Sequence, residues 1–229
     1  YRLLAHLAAG LSRPAADRRS AGIRTALASA IAKLGGRPVD VADDPTVDAV
    51  EGASLRVEVL SGFRVVTGVQ DVTPPPGQPS TVVQLLAVRG SGVHAEEMIE
   101  LLWPLSDPVR GRTRLRNVLA RLRRAVPGLV VRRGDLLVFG PSVEVDLAEF
   151  DDAAVRALAT RDVALARRAV ADLGVELLPG VRYEDWASGP RTRSLARALG
   201  LLSLLADSVD PDEAAVHRAH ADALTASQD

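Results

Sequence analysis

Hydrophobic positions change their spacing several times along the chain. Over residues 1–52 one helical stripe stands out: Ile23, Leu27, Ile31 and Leu34, ended by Gly35-Gly36 and Pro38. The Asp-rich, Pro-interrupted run from Val39 to Gly52 reads as a linker. From Leu55 the period drops to two, with Leu55, Val57 and Val59 alternating with Arg56 and Glu58, as in a half-buried strand. Phe63, Val65 and Val66, then Val69 to Val72, predict further short strands around Thr67-Gly68. Pro74-Pro75-Pro76-Gly77 breaks the sheet. Helical spacing then resumes from about Pro79 to Val88 and, after Gly90-Ser91-Gly92, from His94 to Trp103. Met98, Leu101 and Leu102 face inward in that second helix, and Pro104 ends it.

A third helix is expected from Arg110 to about Val126. Leu115, Val118, Leu119, Leu122 and Val126 form its apolar stripe. On the opposite side Arg110, Arg114, Asn117, Arg121 and Arg124 step by 4, 3, 4 and 3, which stacks all five on one outward face. Arg112, Arg116 and Arg123 fall on the flanks. Pro127-Gly128 stops the helix, and Leu129–Arg132 and Leu136–Phe139 form a hairpin whose turn carries Arg132 and Arg133.

The remainder is nearly all helix. Asp146 can cap a helix to about Leu158, Asp162 begins another to Leu173, and a long one runs from Glu184 to Leu205. Asp210-Pro211 opens the last, with Pro at its favoured first position. Tyr183 and Trp186 are expected to pack between these helices.

Charge sharpens one part of this picture. Of 28 basic residues, nine are arginines between Pro108 and Arg133, a window without Asp or Glu. Subtracting them leaves 19 basic against 29 acidic residues, a net of −10. Arginine outnumbers lysine 27 to 1, which codon bias explains, but bias does not remove acids from one window. Charge gathered in this way suits a polyanion. Arg and Asn can read guanine and adenine edges in the major groove, and Arg also binds phosphates. Strands, three helices and a basic-tipped hairpin are the order of a winged helix-turn-helix domain.

Several segments also carry a family resemblance. Leu86-Ala87-Val88, the Gly-Ser-Gly turn, Glu96-Glu97 to Leu102-Trp103-Pro104, and Arg114 to Arg124 resemble the DNA-binding domain of the SARP family. These are actinobacterial transcriptional activators with an OmpR-like winged helix. Val145-Asp146-Leu147 to Phe150, Leu177-Leu178-Pro179-Gly180, Tyr183-Glu184-Asp185-Trp186 and Arg191 to Leu195 resemble the opening of the bacterial transcriptional activator domain (BTAD), a bundle of tetratricopeptide-like (TPR-like) helices. The resemblance covers roughly Leu55 to Asp207. It implies duplex DNA as a partner, contacts with RNA polymerase or another protein through the helical domain, and two winged helices on direct repeats, as in a homodimer.

The expected fold is mainly α with a small β component. A helical segment and linker (1–52) precede a winged helix-turn-helix domain (53–145) and a TPR-like helical domain (146–229). Candidate DNA contacts are Arg110, Arg112, Arg114, Arg116, Asn117, Arg121, Arg123, Arg124, Arg132 and Arg133. No Walker loop, dinucleotide fingerprint or nucleophile elbow is present, so no catalytic residue or cofactor is assigned. His217 and His220, with Glu213 one turn before His217, read as a solvated helix face and not a metal site. Zero cysteines, no apolar run near the roughly 18 residues of a membrane span, and no signal-peptide pattern suit the cytoplasm. Two other readings stay open on sequence alone. One is a winged helix serving protein contacts within a larger sensor or scaffold. The other is a basic helix that binds RNA or an acidic partner.

Overall fold

The computed structural model describes residues 54–227, apart from 172 and 175. The helix and linker expected before them lie outside the described residues.

β1 (Leu55–Glu58) buries Val57, and Val59 just beyond it is also buried. β2 (Arg64–Thr67) runs antiparallel to it and pairs Val65 with Val57. The turn to β3 (Gln70–Asp71) holds Gly68 at φ 59, which suits a two-residue hairpin loop with glycine first. Next come α1 (Gln78–Arg89), β4 (Val93–His94), α2 (Ala95–Leu102) and α3 (Pro108–Ala125). The hairpin of β5 (Val130–Arg133) and β6 (Leu136–Phe139) follows, then β7 (Val143–Val145). β7 returns to the first sheet and pairs in parallel with β1, giving the order β3-β2-β1-β7. β4 adds to β6 in the second sheet, in the order β4-β6-β5.

Patterning alone predicts neither β4 nor β7. Both are two or three residues long, and their partners are distant in sequence. β4 also takes His94 out of the second helix, which starts at Ala95. In α2 Ala95, Met98 and Ile99 are buried, while Leu101 and Leu102 are half-buried against the core.

α1 is buried on more than one side, Ser80 and Gln84 included. Of the ten positions from Pro79 to Val88 all but Thr81 are buried, so no single stripe faces a single core. It is enclosed because α3 packs on it from one direction and the later helices α4 (Asp146–Thr160) and α6 (Asp185–Ala206) pack on it from another. α5 (Val163–Ala171) lies between those two in sequence, and α7 (Pro211–Ala226) pairs with α6. One hydrophobic cluster therefore runs from Val57 through α1 and α3 to Leu224.

The helical caps follow elementary rules. Asp107 accepts from the Val109 and Arg110 amides at 2.9 and 3.2 Å, so α3 starts at Pro108, two residues before the expected Arg110. Asp162 accepts from the Leu165 amide at 2.9 Å, and Asp210 caps α7 ahead of Pro211. Asp146 behaves differently from its expected role as a cap. It is the first residue of α4, and Val145 occupies the cap position. Its carboxylate turns back to accept from the Val59 amide at 2.9 and 3.0 Å and from the Leu60 amide at 3.1 Å. Burial pushes its carboxyl above the usual Asp range, partly offset by those amides and by that of Leu147.

Trp186 is buried, and its indole N–H donates to Glu184 at 3.1 Å. Tyr183 departs from expectation. It is 94% exposed, on the short stretch that joins the 3-10 turn at Pro179–Val181 to α6. That stretch is pinned through its backbone, and the ring is left in solvent.

Candidate nucleic-acid interface

α3 is held from one side only. Gly111, Leu115, Val118 and Leu122 are buried, whereas Arg110, Arg112, Arg114, Arg116, Asn117, Arg121, Arg123 and Arg124 are all exposed. Gly111 sets how closely α2 approaches, since a Cβ there would stand 2.5 Å from Ile99 Cγ2. The basic face is thus mounted on a helix whose depth is fixed by a glycine and whose start is fixed by an aspartate.

The exposed side chains differ in what already engages them. The Arg112 guanidinium donates to Glu96 of α2 at 3.1 Å. Arg114 lies 6.0 Å from the centroid of the Trp103 ring, a cation–π distance. Arg124 donates to the Ala120 carbonyl one turn back, at 3.2 Å. Among the described residues Arg110, Arg116, Asn117, Arg121 and Arg123 form no side-chain hydrogen bond or ion pair. Glu96 lies outside the acid-free window and sixteen residues before Arg112, so no local spacing announces the pair.

The hairpin turn separates its two arginines. Arg132 pairs with Leu137 and Arg133 with Leu136, and successive strand residues point to opposite faces. Arg132 folds over the turn, donating to the Gly134 carbonyl at 2.6 Å and to Asp135 at 2.8 Å. Arg133 is exposed, with no hydrogen bond or ion pair among the described residues. Gly134, at φ 63, allows the tight loop that both rely on.

No group of three or more His, Cys, Asp or Glu among the described residues is placed to hold a metal. Glu213 is taken by Arg167 at 2.6 Å and lies 3.5 Å from His217. None of the described helices is long and apolar enough to cross a membrane.

The chain matches no protein-family profile and no curated protein sequence. Its architecture is similar to a solved structure, Mycobacterium tuberculosis EmbR in complex with a low-affinity phosphopeptide, with a TM-score of 0.52 and 16% identity. The fold is a winged helix followed by a helical domain. The likeness covers 74% of this chain and 51% of EmbR, so the chain spans about half the length of that relative. With α2 and α3 as the helix-turn-helix, β5 and β6 become the wing.

Proposed function

We propose that the chain binds double-stranded DNA and regulates transcription, with α3 as the recognition helix. The observation that carries this reading is the exposed row of Arg110, Arg114, Asn117, Arg121 and Arg124 on a helix whose inner face is buried. That row would face the major groove, where Asn117 and unengaged arginines can make bidentate contacts to base edges. Arg116 and Arg123 on the flanks would bind phosphates, with Arg112 joining them only by leaving Glu96. Arg133 would be the wing's contact with the duplex, and Arg132 would shape the turn that presents it. The SARP-like motifs and the fold shared with EmbR support this reading. So does the sparse engagement of the basic side chains, which a purely structural network would have paired.

Residues 53–145 would form the DNA-binding domain. Residues 146–229 would supply contacts to RNA polymerase or a partner protein, in the cytoplasm, with two chains on a direct repeat. The test is a fluorescence-anisotropy titration against mixed-sequence duplex at two salt concentrations. Binding that weakens steeply with salt is expected. Undetectable binding at low salt would leave the basic face without its ligand and the reading without support.

A further inference from the structure

The segment of the helical domain that meets the turn after β1 is held by a buried arginine on α6. Each of the three Arg191 guanidinium nitrogens donates to a backbone oxygen: Nε to Leu177 at 2.9 Å, Nη1 to Arg182 at 2.6 Å and Nη2 to Leu178 at 3.0 Å. Its charge is met by Glu176 at 3.4 Å, which also pairs with Arg182. Leu178, gripped in this way, is fully buried in the left-handed region (φ 50, ψ 59), unusual for a non-glycine residue. Its amide donates to the Val59 carbonyl at 3.0 Å, across the seam between the two halves. Gly174 sits so near the turn after β1 that a Cβ would stand 2.6 Å from Ser61 Cα. Asp146 accepts from Val59 and Leu60 beside it.

Simple packing does not need such a construction. A buried Arg–Glu pair seldom improves on an apolar core, and its better-attested use is to fix one geometry among several. Backbone strain of this kind persists where the surroundings over-determine it. What lies behind the seam is α1, which packs on α3 as well as on α4 and α6. The recognition helix therefore rests on a helix that the helical domain also holds.

We infer that Arg191 is a positioning residue for DNA binding: its grip on residues 177–182 keeps the helical domain seated on α1 and the β1 turn, and so holds α3 in register with the groove. This rests on the DNA-binding reading above. It makes the helical domain a working part of the binding surface. A ligand or partner that draws the 177–182 segment off Arg191 would lower sequence-specific affinity without touching α3.

The test compares the full chain with Arg191→Met, which keeps the stem and removes every donor, and with Arg191→Lys. The probes are a duplex enriched from a random pool on the wild-type chain and an unrelated mixed-sequence duplex. The Met variant should lose about tenfold on the enriched duplex. It should lose less than about twofold on the unrelated one, because the charges of α3 remain exposed. Hydrogen exchange should quicken over residues 57–60, 78–89 and 111–122, and the Lys variant should recover only part of either effect. Gly174→Ala, which wedges the same seam, should reproduce the pattern if the Met variant does not fold. Faster exchange at the seam with enriched-duplex affinity unchanged would overturn the inference, as would unchanged exchange in α3. If the wild-type chain binds no duplex, the DNA reading fails by itself, and exchange over 111–122 alone decides whether the latch holds α3.

Discussion

Arg132 and Arg133 are adjacent in sequence and opposite in orientation, and that difference assigns them different work. Arg133→Ala removes a cation with no internal partner, so its loss should weaken binding about equally for all duplex sequences and reduce the salt slope by about one unit. Arg121→Ala, if Arg121 reads a base, should cost about 1–3 kcal/mol on the preferred duplex and relax preference at one base pair. Titrations across a set of single-base-pair variants distinguish the two outcomes. Asp146 makes a separate, pH-dependent contribution. Its folded-state pKa lies above the unfolded value, so the folded chain binds the proton more tightly. The stability it contributes is fully present below the ordinary Asp range and is lost as pH rises through the raised value. Asp146→Asn has no proton to lose. Urea unfolding should therefore show the variant gaining on the wild type as pH climbs out of the carboxylate range, and a constant difference across that range would contradict this. The sequence makes the arginine row legible because helical phase is local. It does not show the Glu96–Arg112 pair, the folding-back of Arg132, or the turn of Asp146 towards β1, because each depends on partners that spacing does not reveal.

α3 is legible as an element from its apolar stripe, and its exact start is not, because capping geometry decides ends. Asp107 holds two of the first amides of this helix. Asp107→Ala should destabilise by about 1 kcal/mol. For a folded unit of this size that is roughly 2–4 °C in a thermal melt. Gly111 sets two effects against each other. Alanine would raise helix propensity by about 1 kcal/mol, while its Cβ meets the branched end of Ile99, a close contact of the kind that costs about 1–3 kcal/mol. Ile99 is buried and its Cγ2 methyl is set directly on Cβ, so it has little room to move, and the clash should win. Gly111→Ala should lower the melting temperature and weaken DNA binding together, because α3 must shift outward from α2. A more stable variant with unchanged binding would show that the two helices have slack. The short strands β4 and β7 escape the sequence for the opposite reason to α3. Each is too brief for periodicity and exists only through its long-range partner.

At the scale of the molecule, α1 explains why a division at residue 145 would not give two self-sufficient bodies. α4 and α6 cover part of its surface, and Leu178 is tied to the turn after β1. A fragment ending at Val145 would expose that surface and should self-associate or melt well below the longer chain, which size-exclusion chromatography and calorimetry read directly. The described chain should unfold in one transition. A winged helix and a helical domain are each readable from patterning. Their seam is not, since Arg191, Glu176 and Leu178 look in sequence like ordinary helix and loop residues.

The most direct test of the central claim is the salt-dependent affinity of the full chain for duplex DNA. Fluorescence anisotropy should show submicromolar to micromolar binding at low salt and a log–log salt slope of about −3 or steeper, as expected when several arginines displace counterions. Arg121→Ala together with Arg133→Ala should flatten that slope. No detectable binding at low salt, or a slope near zero that the double substitution leaves unchanged, would contradict the assignment of α3 as a DNA-recognition helix.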